Sequence, residues 1–274
     1  MDEVQFQVVI DPELGREVAG VAAFGDFQLK ADAESGVVYP SSGLEGFYND
    51  LLLGRPIPLV LASRGIHTVG QLLIVTLFLH RDLALHPRTG SLVAAVDRVD
   101  RLRVIGLAHI ESDLCRFFKL LSGFLPPKLG RKKQQERLTT AVGWLREYIV
   151  EGRFPALPPQ PPEPKILDTG SRNFVVAETQ GKGTLDDGWV TLFRQGFLWG
   201  LLCTPAREGR RRVLGGRKSA WVPLSLGQMV SGLNEAESAM GEPAEWAADE
   251  VWLQGPEGGT LLPIEAIVKV FIHV

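Results

Sequence analysis

A proline-rich segment divides this sequence more sharply than any other feature. The segment FPALPPQPPEPK, residues 154–165, contains six prolines in twelve residues. Proline donates no backbone hydrogen bond and fixes φ, so such a run forms neither a helix nor an inner strand. It predicts an extended, polyproline-like linker between an N-terminal domain at residues 1–153 and a smaller C-terminal domain at residues 166–274.

Strand and helix patterns alternate before the linker. The apolar runs VQFQVVI at 4–10 and IPLVLA at 57–62 predict strands, and the second run is typical of a strand covered on both faces. Apolar residues at helical spacing predict helices as well. The predicted helices cover residues 12–24, 68–80, 91–102, 111–125 and 134–150. This alternation is typical of an α/β domain with a mostly parallel sheet and several helices.

Short apolar runs separated by glycine-containing turns follow the linker. They predict antiparallel strands, which are NFVVAE at 173–178, GWVTLF at 188–193 and GFLWGLLC at 196–203. A helix capped by Ser225 is predicted over residues 225–240, and EVWLQ at 250–254 is a further apolar segment. The C-terminal domain is therefore predicted to be α+β.

Charge and hydropathy bear on the location and the partners that the sequence predicts. The formal net charge is −3, which gives no overall attraction to nucleic acid or anionic lipid. The longest unbroken apolar run, LLIVTLFL at 72–79, is far shorter than the ~20 residues of a membrane-spanning helix. The N-terminus MDEVQFQVV lacks the basic region of a signal peptide. A cytoplasmic protein without a membrane partner is predicted.

The segment HRDLALHP, residues 80–87, contains the letters of the protein-kinase catalytic loop. That loop needs Asn five residues after the Asp, where this chain has Pro87, and it needs a glycine-rich phosphate loop upstream. A helix end at His80 and Arg81, followed by an exit loop that stops at Pro87, is expected instead.

Two acids follow the first predicted strand. Asp11 and Glu13 stand at its carboxyl end, where α/β proteins bind ligands. Two carboxylates so closely spaced could share a divalent cation. Alternatively, Asp11 caps the following helix and Glu13 complements its dipole, which requires no metal.

A second group of acids lies in VDRVDRL, residues 96–102. Asp97 and Asp100 are three residues apart and therefore share a helix face. His109 and Asp113 are four apart and are predicted to share a face in the same way. These residues are candidates for a metal or catalytic site, with an ordinary charged helix face as the alternative.

The order of these features resembles, distantly, the DHH family of phosphoesterases with its associated C-terminal domain. The first motif of that family places Asp-x-Asp after a strand and before a helix rich in small residues, and Asp11 and Glu13 occupy those positions. The resemblance implies hydrolysis of phosphodiester or pyrophosphate bonds with two manganese ions. The candidate catalytic residues are Asp11, Glu13, Asp97, Asp100 and His109.

In the same family the C-terminal domain holds the substrate with glycine-rich turns and basic residues. The turns VLGGRKSAW at 213–221 and GPEGGTLL at 255–262 match that description. The resemblance therefore implies a set of substrate-binding residues, which are Arg217, Lys218, Ser219, Gly258 and Gly259.

The chain lacks the Asp-His-His triplet of the family, and no His precedes Asp11 at the expected place. A two-metal site needs several ligands, so the sequence favours a catalytically degenerate relative that binds a protein partner or a phosphate-containing small molecule. One alternative is a manganese- or magnesium-dependent phosphoesterase acting on a small nucleotide or oligonucleotide. A second is a nucleic-acid-binding module that uses two basic clusters. The first contains Lys128, Arg131, Lys132 and Lys133, and the second contains Arg207, Arg210, Arg211, Arg212, Arg217 and Lys218.

Overall fold

The computed structural model shows a mixed α/β fold. It describes residues 6–9, 37–40, 43–55, 57–62, 68–124, 131–171, 173–217, 225–243 and 245–272. The chain divides into two units, Met1–Pro159 and Gln160–Val274, and the boundary falls inside the proline-rich segment. Each unit has its own sheet and its own hydrophobic core.

Three short strands form the sheet of the N-terminal unit: β1 (Phe6–Val9), β2 (Val37–Pro40) and β3 (Ile57–Ala62). The central strand β3 pairs in parallel with β1 and antiparallel with β2. The prediction of a mostly parallel sheet is therefore not confirmed. Strand β2 is not predicted from the sequence, because four residues that end in proline form too short an apolar run to recognise.

Helices make up most of the described part of the N-terminal unit. They are α1 (Gly43–Leu52), α2 (Val69–Leu79), α3 (Pro87–Ala108), α4 (Ser112–Phe124) and α5 (Arg131–Glu151). The helices predicted at 68–80, 111–125 and 134–150 are confirmed, and the one predicted at 91–102 is longer at both ends. The helix predicted at 12–24 lies outside the described residues.

Helix α2 is the centre of the N-terminal core. Ten of its eleven residues are buried, as expected for a helix that is apolar all round and enclosed by neighbours. A capping box begins it: the Thr68 Oγ1 accepts from the Gln71 N–H at 3.2 Å, and the Gln71 Oε1 accepts from the Thr68 N–H at 3.1 Å. Within the described part of the chain, no helix has both the length and the apolar character needed to cross a membrane.

The HRDLALHP segment forms a 3-10 helix at Arg81–Leu85 rather than an exit loop. The Tyr48 hydroxyl donates to the Ala84 carbonyl at 3.0 Å and fixes this turn to α1. Pro87 does not end a structure here; it is the first residue of α3, where its missing N–H is not needed. The segment therefore links two helices.

The proline-rich segment is attached to the N-terminal unit along its first half. Residues 152–164 form neither helix nor strand. The Phe154 ring stacks on Tyr148 with centroids 4.8 Å apart, and the Arg116 Nε donates to the Pro158 carbonyl at 2.8 Å. These contacts mean that the first half is not a free spacer.

Six strands form the sheet of the C-terminal unit. They are β4 (Lys165–Ser171), β5 (Phe174–Glu178), β6 (Trp199–Cys203), β7 (Val213–Arg217), β8 (Ala247–Ala248) and β9 (Trp252–Gln254). Their order is β4-β5-β6-β7-β9-β8. The pair β5–β6 is parallel, and the other four pairs are antiparallel.

The prediction of a strand over GWVTLF is wrong, because these residues belong to helix α6 (Leu185–Arg194). Thr184 and Asp187 form a capping box that begins the helix. Trp189, Val190 and Phe193 then fall on one buried helix face. The helix is the crossover that joins β5 to its parallel neighbour β6, and parallel neighbours require such a connection.

Helices cover both faces of this sheet. Leu202 faces α6, where Gly188 lies against it. The adjacent Leu201 points to the opposite face and joins a core that includes Met229 of α7 (Leu226–Ala239) and Ile267 of α8 (Ile264–Ile272). The helix predicted after Ser225 is thus confirmed, although the Ser225 side chain makes no capping hydrogen bond.

Candidate functional site

A cleft opens at the carboxyl ends of the two parallel strands of the C-terminal unit. Its volume is about 440 Å³, within the ~300–1,000 Å³ typical of small-molecule sites. Four stretches line it: residues 183–186 at the start of α6, Thr204 after β6, residues 212–214 at the start of β7, and residues 254–256 after β9. We call it the C-terminal cleft.

The strand ladder continues into the floor of the C-terminal cleft. The Thr204 N–H donates to the Arg212 carbonyl at 2.9 Å, and the Arg212 N–H donates to the Thr204 Oγ1 at 3.1 Å. The Gly255 N–H donates to the Val213 carbonyl at 3.1 Å. These bonds tie three separate chain segments together, so the floor is preformed.

The start of α6 forms one wall of the cleft. The Thr184 hydroxyl accepts from the Asp187 N–H at 3.1 Å and donates to the Asp187 carboxylate at 2.8 Å. The capping box thus satisfies two of the N–H groups at the helix start. Side chains along the cleft supply further recognition groups.

Three exposed polar side chains border the cleft without a partner among the described residues: Asp186, Arg212 and Gln254. Arg212 supplies one positive charge and five N–H donors. Asp186 supplies one negative charge, and the Gln254 amide both donates and accepts. A cation and an anion in one open cleft favour a ligand that carries both charges over a strongly anionic ligand.

Neither cysteine is placed to act as a nucleophile. Cys115 and Cys203 are both buried, and neither forms a disulfide bond. Burial raises the pKa of the Cys203 thiol, although the Arg211 guanidinium, whose Nη1 donates to Sγ at 3.8 Å, partly opposes the shift. A thiol with a raised pKa is mostly protonated near neutral pH and therefore unreactive.

The predicted substrate-binding residues are not gathered in the C-terminal cleft. Arg217 ends β7, whereas the cleft lies at the beginning of that strand. Lys218 and Ser219 lie outside the described residues. Gly258 and Gly259 belong to the turn that follows the cleft segment 254–256.

Gly259 has a structural reason to be glycine. Its φ is +84°, and a side chain there would come within 3.1 Å of the Arg211 carbonyl oxygen. The Arg210 Nη1 donates to the Gly259 carbonyl at 3.2 Å. The turn is thereby held on the segment that precedes β7, and its substrate-binding role stays a prediction.

Part of the predicted basic cluster at residues 207–218 is neutralised by acidic residues of the C-terminal unit. The Arg210 Nη2 lies 2.7 Å from a Glu242 carboxylate oxygen, and the Arg211 Nη1 lies 3.9 Å from a Glu178 carboxylate oxygen. Fewer cations therefore remain for a polyanion such as nucleic acid.

The predicted acid pair of α3 is brought together, but it does not form a metal site with His109. Asp97 forms an ion pair with Arg101 at 2.5 Å. Burial, and secondly the nearby charge of Asp97, raise the pKa of Asp100 to about 6. His109 follows the last residue of α3.

The prediction that His109 and Asp113 share a helix face is wrong. The chain leaves the helical conformation between Ala108 and Ser112, so the two residues belong to different elements. The Asp113 carboxylate instead pairs with Arg116 at 3.0 Å.

The metal-ligand prediction rests on Asp11 and Glu13, and both lie outside the described residues. Within the described stretches, no group of three or more His, Cys, Asp and Glu side chains is arranged to hold a metal ion. This includes His80, Asp82 and His86 of the HRDLALHP segment.

The sequence did not point to the cleft residues other than Arg212. Asp186 is not singled out in the sequence, because the neighbouring GWVTLF is wrongly predicted as a strand. The capping-box pattern T-L-D-D at 184–187 nevertheless signals a helix start. Thr204 and Gln254 are 50 positions apart in sequence, and only strand register places them at one edge. No local sequence pattern could have predicted that these two residues lie in the same cleft.

No protein-family model, curated protein or solved structure matches this chain. The resemblance to the DHH phosphoesterases therefore stays a hypothesis.

Proposed function

We propose that this chain is a binding module whose C-terminal cleft holds a small polar molecule bearing one acidic group and one basic or amide group. The observation that carries the proposal is the position of the cleft. It lies at the carboxyl ends of the parallel strands β5 and β6, which is where open α/β sheets bind ligands.

The charges at the cleft suggest the chemistry of the ligand. Arg212 is suited to a carboxylate, which a guanidinium binds through two parallel hydrogen bonds. Asp186 and the Gln254 amide are suited to an ammonium or amide group on the same molecule. A phosphate dianion is less suitable, because Asp186 and Asp187 both place negative charge at the start of α6.

A binding role also requires less of the chain than hydrolysis does. Hydrolysis of a phosphodiester by the mechanism of the DHH family needs a set of metal ligands. A binding cleft needs only shape and a few polar groups. The proposal is thus compatible with a degenerate relative of that family.

The test is a thermal-unfolding screen on the full chain. The probes are free glutamine and free arginine, with acetate, inorganic phosphate and AMP as contrasts. A ligand at tenfold excess over its Kd stabilises the native state by about 1.4 kcal/mol, which raises the Tm by a few degrees. We expect a saturable rise with at least one amino acid and none with acetate.

Two variants locate the binding. Arg212→Gln removes the cation of the cleft and is expected to abolish the rise. Arg207→Gln makes the same change at an exposed arginine outside the cleft, and it should behave as wild type. The proposal is wrong if wild type shows no rise with any amino acid up to about 20 mM, where a Kd of about 1 mM would be saturated.

The same screen separates the alternatives. Stabilisation by manganese or magnesium that is lost in Asp11→Ala would support the metal-dependent phosphoesterase. A response to AMP or phosphate alone would support a phosphate-containing ligand. Binding of an oligonucleotide that weakens steeply with salt would support the nucleic-acid module.

A further inference from the structure

A second pocket lies in the N-terminal unit, between the start of α2, two parts of α3 and the middle of α4. Its volume is about 330 Å³, at the lower end of the range of small-molecule sites, which is ~300 Å³. Its lining is mostly apolar, with Val96, Val99, Leu107 and Phe118 among the lining side chains. We call it the N-terminal pocket.

A break in α3 creates the N-terminal pocket. Arg103 has φ +47° and ψ −119°, which interrupts the helix. In a straight helix Leu107 would lie about 16 Å along the axis from Val96, at 1.5 Å per residue. The break turns the chain back, so that both side chains line one pocket.

Gly106 makes this return possible. A side chain at Gly106 would come within 2.6 Å of the Arg98 carbonyl oxygen and 2.8 Å of the Val99 Cα. Both neighbours are backbone atoms, so neither can rotate away. Glycine therefore allows the last turn of α3 to lie against the preceding turns and close the pocket.

One carboxylate in this apolar lining has no partner among the described residues. Asp100 lines the pocket and makes no hydrogen bond or ion pair with any residue that the structure describes. The residue as a whole is exposed to solvent, but its Oδ2 lies against Gly70, where a side chain would be only 2.4 Å away. Asp97, one turn earlier, differs because it is paired with Arg101.

We propose that the N-terminal pocket binds a small apolar monoamine, with its hydrocarbon part among Val96, Val99 and Phe118 and its ammonium group on Asp100. The apolar groups around Asp100 provide no positive charge for its carboxylate. An ammonium ion supplies that charge. The raised pKa of Asp100, about 6 and due first to burial, reflects that missing partner.

The charge on the opposite wall limits the ligand to one ammonium group. Lys119 of α4 also lines the pocket, and its ammonium group disfavours a second cationic centre nearby. Polyamines should therefore bind less well than monoamines of the same apolar size.

The test compares three probes of similar shape on the full chain: benzylamine, benzyl alcohol and benzoate. Titrations followed by protein NMR chemical shifts give their Kd values at about pH 7.5, where Asp100 is ionised. We expect benzylamine to bind at least about fivefold more tightly than benzyl alcohol, which corresponds to one partly buried charge pair.

Three variants complete the experiment. Asp100→Asn should remove the preference for benzylamine over benzyl alcohol and leave the affinity for the alcohol unchanged. Asp113→Asn makes the same change at an exposed carboxylate of α4 that does not line the pocket, and it should keep the preference. Val99→Trp fills the pocket and should abolish the binding of both probes.

Equal affinities of wild type for benzylamine and benzyl alcohol would overturn the proposal, as would an unchanged preference in Asp100→Asn. Tighter binding of benzoate than of benzylamine would also overturn it, because Lys119 would then be the recognition group. The cleft of the other unit has no part in these measurements, so failure of one proposal leaves the other standing.

Discussion

Gly188 of α6 lies directly against Leu202 of β6, and a methyl group at Gly188 would be only 2.5 Å from the Leu202 Cδ2. The contact sets how closely the helix that begins at the C-terminal cleft approaches the sheet. Leu202 is fully buried, so it has no room to move aside.

Gly188→Ala should therefore destabilise the protein, although alanine is the better helix former by about 1 kcal/mol. Overpacking a closed core typically costs about 1–3 kcal/mol, and we expect a net loss on the order of 1 kcal/mol. Urea unfolding followed by circular dichroism measures it.

Gly143→Ala is the matched control for that substitution. Gly143 is an exposed residue of α5 with open space where a side chain would stand. Only the helix propensity changes, so this variant should be more stable than wild type by about 0.5–1 kcal/mol. The steric explanation fails if both variants shift the urea midpoint in the same direction.

Arg103→Gly should stabilise the protein. The φ of +47° with ψ of −119° is a conformation that glycine adopts freely and a side chain does not. Relief of this strain should gain about 1 kcal/mol. Arg98→Gly, at an exposed helical position of α3 with ordinary dihedral angles, should instead lose about 1 kcal/mol. Thermal unfolding of the two variants gives the comparison.

Asp100→Asn should stabilise the protein at high pH and have less effect at low pH. The native pKa of about 6 lies above the ordinary value of 3.8. The native state therefore binds more protons than the unfolded state between these values, and stability falls as pH rises through them. Asn removes this loss, which we put at about 1 kcal/mol after allowing for solvent exposure.

Unfolding midpoints of wild type and Asp100→Asn from about pH 4 to about pH 8 measure this effect, which is a linkage effect. Among the described residues, the charged groups near Asp100 include Asp97 on its own helix, which is paired with Arg101, and Lys119 from α4. A difference between the two proteins that is the same at every pH would contradict the explanation.

Thr260→Val should strongly destabilise the C-terminal unit. The Thr260 Oγ1 donates to the buried Glu237 carboxylate, with distances of 2.5 Å to Oε1 and 3.1 Å to Oε2. Valine keeps the shape but leaves the carboxylate without this donor, at a cost of about 2–4 kcal/mol.

Thr191→Val is the control for the loss of a threonine hydroxyl. The Thr191 Oγ1 donates to the Asp187 carbonyl of its own helix, at 3.1 Å. Its removal should cost at most about 0.5 kcal/mol. Equal losses of unfolding free energy in both threonine variants would show that the hydrogen bond to Glu237 stabilises the protein no more than the one made by Thr191.

Local signals in the sequence were enough to predict most elements of the N-terminal unit. IPLVLA forms β3 as predicted, and the helix predicted after Thr68 begins with the capping box of that residue. Capping and apolar spacing depend on residues within a few positions of each other, so they can be read directly from the chain.

Features that depend on distant residues could not be predicted. GWVTLF is apolar and aromatic enough for a strand, and only the capping box before it and its place between two parallel strands indicate a helix. No glycine or proline stands at Arg103 itself to indicate the break in α3. Both pockets follow from such features, which explains why no motif pointed to either.

Helix α2 also bears on how the protein is made. It is apolar on every side, and the residues that enclose it include Leu92, Phe117 and Leu145, which all follow it in the chain. During synthesis this helix leaves the ribosome before these later partners exist, so part of its apolar surface stays uncovered until α5 has been translated. Conditions that slow elongation in this interval should increase aggregation and the demand for chaperones.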